Sequence, residues 1–382
     1  MSGKTICILG GGSGGLVVAN ILIKELSGEH RIVLIDKESY HLFNPSLLWL
    51  MVGWRRPEQM KKDLSPLKRK GIDFIQAEVG GIDFDKQTVL TNTQNIQYDY
   101  LVVSLGADLY PEKIAGFKEG AYNLYQLPEV IRLRDDLTNF KGDKAIVMVS
   151  SIPFKCPAAP YEAALLLNAY FKRQNKNVQV QVVSPEPQPM PVAGPAMGQA
   201  VVSLLNMSGI QYIPNTTIKT VKPDKKELET SDGKNIPYDM LIGVPAHGAP
   251  NVIKNSSIAG ETGWIPVNAK NLQTKIENVY AIGDITSIPL PVGKPLPKAG
   301  VFAHLEAEVV AYNIAAKIKN QPAVKEFNGH GYCFVELGDG RAGFAKGNFY
   351  AEPAPVVSLY RPGRLWHIGK VLFEKWWMWK WF

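Results

Sequence analysis

Apolar residues run unbroken from Ile6 to Leu9, and glycine then fills five of the six positions from 10 to 15. Residues 16–26 have helical character, and residues 31–35 form a second apolar run of strand length that ends in Asp36. This order predicts a β-turn-α-β unit over the first forty residues. An apolar stretch follows at 43–53, and then basic residues between Arg55 and Lys70. Short strands are expected near 73–78 and 88–90, with a longer one inside 98–107. A second unit begins with a strand at 145–149, continues through a helix at 161–172, and returns as a strand at 178–183. Accessory strands are expected near 217–221 and 227–230, and further apolar runs at 239–244 and 278–284. A proline-rich loop leads into a long helix at 301–319, and short aromatic strands begin after 326. The fold class is therefore α/β: two Rossmann-like dinucleotide-binding domains, one interrupting the other, plus a small C-terminal region. The expected boundaries are 1–110 with 250–320 for the first domain, 111–249 for the second, and 321–382 for the C-terminal part.

Composition narrows this picture. The chain has 382 residues, 46% of them hydrophobic and 20% charged, so it can bury large cores. Three cysteines cannot staple a protein of this size. The net charge is +7, and part of it is concentrated at the end. Beyond Tyr360, Arg361, Arg364, Lys370, Lys375 and Lys380 face one acid, Glu374. Five of the eight tryptophans lie there too (Trp366, Trp376, Trp377, Trp379 and Trp381). A basic, Trp-rich end suits a membrane surface with anionic lipids. Nucleic acid would accept the charge, but no nucleic-acid motif accompanies it. No run of 18 apolar residues occurs, so peripheral, monotopic membrane binding is expected instead of a spanning helix. With no signal-peptide pattern ahead of residue 5, the cytoplasmic face is expected. His367, Lys370, Glu374 and Trp377 share one helical arc, so the tail reads as an aromatic wedge, not a clean amphipathic helix. Residues 47–54 are expected on the same membrane surface. An apolar tail also suits a subunit interface, and a homo-oligomer is expected.

The candidate chemistry lies in two loops. Gly10, Gly12 and Gly15 fit G-x-G-x-x-G between a strand and a helix. Gly10 permits the turn, Gly12 lets backbone approach a pyrophosphate, and Gly15 lets helix and strand pack closely. Ser13 and Gly14 complete the cradle at the helix N-terminus, and Asp36, followed by Lys37, ends the strand where ribose hydroxyls are held. The corresponding turn of the second unit, residues 150–160, contains no glycine. Ile152, Pro153, Phe154 and Pro157 stand where backbone must approach phosphate, and proline removes amide donors. Nicotinamide binding is not expected there. That loop carries Cys156, just ahead of a helix with Pro160 and Glu162 in its first turn. A helix N-terminus favours thiolate, which makes Cys156 a candidate nucleophile. Cys333 follows 177 positions later in an aromatic segment. Free cysteines are also commonly buried hydrophobes, as Cys7 between Ile6 and Ile8 is read here. Glu162 is either a proton acceptor or an ordinary first-turn acid. His247, His304 and His330 fit no metal motif, so no metal site is expected.

Residues 10–15, 98–107 and 280–284 (Tyr-Ala-Ile-Gly-Asp) together resemble the two-dinucleotide-fold flavoprotein disulfide-reductase-like superfamily. The resemblance extends to about residue 345. It implies FAD on the first glycine turn and Asp284 on the flavin's ribityl and phosphate hydroxyls, with Gly106 as a turn glycine. Lys37 and Val79 are assigned to the same cofactor. Lys298 would lie at the flavin's pyrimidine edge, or else be a solvated lysine. Ser104-Leu105-Gly106 departs from the commoner Ala-Thr-Gly. The segments around Cys156 and Cys333 resemble the paired cysteine segments of sulfide:quinone oxidoreductases and of flavocytochrome c sulfide dehydrogenases. In those proteins the two cysteines meet on one face of the flavin ring. Neither residues 40–53 nor residues 120–126 contain a cysteine, so FAD is expected to be non-covalent. The resemblance implies attack of hydrosulfide on a Cys156–Cys333 bridge, with electrons passing through FAD to a membrane quinone. Pro45, Phe302, Phe334 and Phe344 are the expected quinone pocket. A type II NADH:quinone oxidoreductase shares the fold but needs the missing glycine turn. An electron-transfer subunit serving a haem partner would need a polar docking surface in place of the Trp-rich tail.

Overall fold

The computed structural model describes residues 3–26 and 28–382. The first sheet is parallel throughout, in the order Val279–Ala281, Tyr100–Val103, Thr5–Leu9, Arg31–Asp36, Ile72–Gln76. Its central strand is buried on both faces. Ile6 and Ile8 join the core under the helices Ser13–Glu25 and Gly300–Ile318, whereas Cys7 and Leu9 join a core on the other face with Val33, Ile35 and Trp264. This two-residue alternation explains why a continuous apolar run was needed. A second parallel sheet repeats the arrangement as Tyr122–Asn123, Met240–Val244, Lys144–Val149, Gln179–Val183 and Gln211–Ile213. The helix Ala159–Arg173 packs on it. Each unit also carries a three-stranded antiparallel ribbon. The connecting segments Asp108–Tyr110 and Ala246–Gly248 pair antiparallel where the chain passes between the units.

The C-terminal part is a three-stranded antiparallel sheet of His330–Glu336, Ala342–Asn348 and Val356–Gly363, followed by the helix Arg364–Lys380. Two expectations are corrected here. Residues 47–52 are not a surface patch. Leu47–Met51 is a short helix buried against Leu124, Leu127 and Val130, because a run that is apolar on every side packs best in a core. The tail, read as not a clean amphipathic helix, is a regular helix whose charged arc faces inward. Lys370 and Glu374 are buried with Trp377, while Leu365, Leu372 and Trp379 are 80%, 59% and 77% exposed. The charged arc is stable inside because each member has a partner: Lys370 pairs with Glu162, and Glu374 with Arg55 (2.7 Å).

Candidate active site

The glycine turn is shaped by close approaches. Gly10 has a φ of +96°, and a side chain at Gly15 would lie 1.9 Å from the Gly10 carbonyl oxygen. Gly12 has no atom within 4 Å of where its side chain would stand, because it opens on a cavity. Among the described residues no side chain caps the helix Ser13–Glu25, so its first amides are free to bind an anion. Asp36 accepts the Gly11 amide (2.5 Å) and the Glu38 amide (2.8 Å), and burial raises its carboxyl above the usual range. His41 Nδ1 meets the Gly11 carbonyl at 2.9 Å, and burial pushes this imidazole down to about 4. At neutral pH the ring is uncharged, so Nδ1 donates and Nε2 accepts the Trp377 indole N–H at 3.1 Å. The tail helix thus buttresses the glycine turn. Ser104 Oγ donates to the carbonyls of Leu9 (2.8 Å) and Gly10 (3.1 Å), a use for the hydroxyl that sequence reasoning missed.

The cavity has a volume of about 680 Å³. Gly10, Gly12, Ser13, Gly14 and Asp36 line it from the first turn, and Gly106 and Asp284 from the next strand ends. Gly15 lies behind, packed on Gly10. Among the described residues Asp284 Oδ1 is buried without a partner, and burial raises this carboxyl against the pull of Lys155 and Lys298. Glu306, from the helix Gly300–Ile318, accepts the Gly283 amide at 2.6 Å and is pushed up to about 8 by burial. Its one signal in the sequence is an acid, one of two with Glu308, inside a largely apolar helical stretch. Lys298 is not the solvated lysine of its second reading, and it lines the cavity. It is buried, and its ammonium is committed to the carbonyls of Asp284 (2.6 Å) and Thr286 (3.1 Å) and to the face of Trp264. Burial brings that ammonium down to about 8.

The second loop closes the same cavity from the opposite side. After Lys144–Val149 the chain runs through Ile152, Pro153 and Phe154 along the cavity wall, and Phe154 is buried in the second unit's core. Cys156 has a φ of +52°, held by its amide donating to the Lys298 carbonyl (2.7 Å) and its carbonyl accepting the Ala159 amide (2.8 Å). Cys333 sits on His330–Glu336 opposite Ala345. Both cysteines line the cavity as free thiols. The expected thiolate is corrected. Burial pushes Cys156 up to about 11, with Glu162 adding to it, and outweighs the helix N-terminus. Cys333 is raised further, by burial and then by the neighbouring Cys156 charge. Glu162, four residues into its helix, also lines the cavity and pairs with Lys370. Burial raises Glu162 against the pull of Lys370.

Pro45, Phe302 and Phe334 lie on the cavity wall. Phe344 does not; it stacks on Trp366 at 4.4 Å and lines a second, apolar hollow of about 410 Å³ with Phe334, Leu372 and Trp376. Exposed Lys37 and half-buried Val79 lie outside both linings; Val79 packs with the core behind the first sheet. In the second unit, the acid after Gln179–Val183 is Glu186. It is buried and accepts the Tyr161 hydroxyl, so a residue that elsewhere could receive a ribose is already occupied.

Two nucleotide-type sheets whose loops meet at one cavity with a pair of thiols define a dinucleotide-dependent oxidoreductase of mixed α/β fold. The chain belongs to the pyridine nucleotide-disulphide oxidoreductase family, whose model matches residues 4–307. It is 28% identical to a sulfide-quinone reductase of Aquifex aeolicus, over 99% of this chain and 91% of that protein. It is 26% identical to a mitochondrial sulfide:quinone oxidoreductase of Mus musculus, over 91% of this chain and 79% of that one. The solved sulfide:quinone oxidoreductase of Aquifex aeolicus superposes with a TM-score of 0.89 at 27% identity, covering 99% and 91% of the two chains. A flavin is the cofactor of this fold family. The residues present fit one: the uncapped helix end, the open face of Gly12 and the unpartnered Asp284 oxygen all point into the cavity.

Proposed function

We propose that this chain is an enzyme that oxidises sulfide and delivers the electrons to a quinone. Its FAD is non-covalently bound, and Cys156 and Cys333 are its redox pair. The observation that carries this reading is that two cysteines 177 positions apart line the cavity that the glycine turn and Asp284 also line. FAD supplies, when bound, an acceptor for one electron pair and a route onward to quinone. Gly10, Gly12, Ser13 and Gly14 would hold its pyrophosphate, Asp36 a ribose, and Asp284 the ribityl chain. Cys7, the remaining cysteine, is sealed in the first sheet and offers the cofactor no covalent anchor.

Hydrosulfide is a soft nucleophile, and a Cys156–Cys333 sulfur bridge is its natural electrophile. Attack breaks the bridge and leaves a persulfide on one cysteine and a thiolate on the other. Burial opposes that thiolate, so a proton acceptor beside the pair is needed, and Glu162 is in place. The residues in the second turn supply the thiol and leave no room for a pyridine nucleotide. The sequence boundaries then acquire roles: 1–110 with 250–320 for FAD, 111–249 for the loop that carries Cys156, and 321–382 for the interface with lipid. Among the described residues no helix is long and apolar enough to cross a membrane. The outward face of the tail helix, with Leu365, Ile368, Leu372 and Trp379 exposed, suits insertion into one leaflet, with Lys375 and Lys380 at headgroup level. The apolar hollow beside Leu372 shares Tyr332, Phe334 and Phe373 with the main cavity and gives a quinone ring a path from lipid. The cytoplasmic face and self-association remain part of this reading.

Anaerobic bleaching of the flavin tests it. Sulfide should reduce the bound flavin and NADH should not. Cys333→Ser should keep the flavin and lose sulfide-dependent quinone reduction by a factor of about 1,000 or more, because the sulfur bridge cannot form. Undiminished activity in that variant would remove the mechanism.

A further inference from the structure

Behind the cysteines, four titratable side chains run from the cavity wall to the surface. Glu162 pairs with Lys370 of the tail helix. Glu336 is fully buried, and its carboxylate oxygens lie 2.9 and 3.0 Å from His367 Nδ1. His367, one helical turn before Lys370, is 25% exposed and is the member of the four that reaches water. Around them, the Lys370 ammonium also faces Trp49 and feels Cys333, while Arg55 lies over the same Trp49 and is neutralised by Glu374. The one ammonium is thus paired with Glu162, and the second buried carboxylate, Glu336, has the His367 ring as its partner. A static ion pair would need neither Glu336 nor His367.

We propose that Glu162, Lys370, Glu336 and His367 form the proton exit from the cysteine cavity. This rests on the function proposed above. Oxidation of hydrosulfide to sulfane sulfur releases one proton and two electrons. The electron pair goes by way of the cofactor to quinone, which takes up two protons on its own side. The sulfide proton passes to Glu162, the charge shift is relayed across Lys370 to Glu336, and His367 releases a proton to water. Glu162 touches the reacting sulfur region, whereas His367 acts only through the others.

The test uses the full-length, flavin-loaded protein. Wild-type sulfide-dependent quinone reduction is measured first, and its absence would end the parent function as well as the relay. Given an active wild type, His367→Ala should keep its flavin and its KM for sulfide and lose kcat by about tenfold. That is less than the ~100-fold typical of a group that itself takes the reacting proton. Millimolar imidazole should restore the rate. His367→Gln can still hydrogen-bond Glu336 but cannot pass a proton, so it should be as slow as His367→Ala. Wild-type kcat in either variant, or a loss that imidazole leaves unchanged, overturns the relay.

Discussion

The two turns that follow the central strands, after Leu9 and after Val149, occupy the same place in two similar units and do opposite things. After Leu9, glycines keep side chains out of the way. The cavity reaches the backbone at Gly12, and Asp36 faces the cavity with its carboxyl held only by main-chain amides. After Val149, side chains fill that space: Phe154 enters the core and Cys156 turns its thiol inward. Glu186, the acid that follows the corresponding strand, is taken by Tyr161. Topology brings both turns to one cavity, and side-chain volume decides which is left open at the backbone and which presents a thiol. A unit with a nucleotide-type sheet becomes a wall of its neighbour's site.

The largest expected effect breaks the first turn. Gly12→Val meets no protein atom nearby, so the chain should fold, but the added methyls occupy the pyrophosphate's space. The purified variant should be colourless, with unchanged far-ultraviolet circular dichroism. A yellow Gly12→Val protein would mean that the cofactor lies elsewhere.

A second prediction uses the acid behind Asp284. Glu306 is raised from an ordinary 4.5 to about 8 by burial, with the Gly283 amide and Lys298 opposing the shift. A carboxyl with a raised folded value gives stability that is fully present below pH 4.5 and is lost as the pH climbs through about 8. Glu306→Gln keeps an acceptor for Gly283 and removes the titration. Its melting temperature should match the wild type's near pH 4.5 and exceed it increasingly up to pH 8, by the equivalent of roughly 2–4 kcal/mol. Thermal melts of the two flavin-loaded proteins at several pH values decide this. Parallel curves would show that Glu306 stays ionised, and the first site would then hold more negative charge than its burial suggests.

How much of this was legible varied with the distance between cause and consequence. The first turn could be read because an apolar run, glycines and a strand-end acid lie within thirty residues of each other. Cys156 could be singled out because the second turn is chemically wrong for phosphate and contains a thiol, whereas its pairing with Cys333 is implied only by the resemblance of the two segments. The tail could not. Lys370 and Glu374 look solvent-facing until Glu162 and Arg55 arrive from segments more than 200 positions away. Residues 47–52 failed for the opposite reason: a short run that is apolar on all sides does not say whether lipid or core receives it. The burial of Lys298 could not be read because its partners are backbone carbonyls, which leave no trace in a sequence.

The smallest effect bears on what closes the second turn. Tyr161→Phe removes the hydroxyl that satisfies Glu186 and nothing else, since the ring stays packed. A buried carboxyl that loses its donor should cost about 1–3 kcal/mol, seen as a lowered denaturation midpoint with an unchanged slope. Ser184, whose hydroxyl lies 3.4 Å from the same oxygen, is near enough to recover part of that loss. Freed from Tyr161, Glu186 would resemble Asp36 in its chemistry, yet NADH should still fail to bleach the flavin. Ile152, Pro153 and Phe154 would remain where a pyrophosphate must approach, and Pro153 and Pro157 bring no amide hydrogen to receive it. Bleaching by NADH in this variant would show that a single hydroxyl, and not the bulk of the loop, separates the two units' functions.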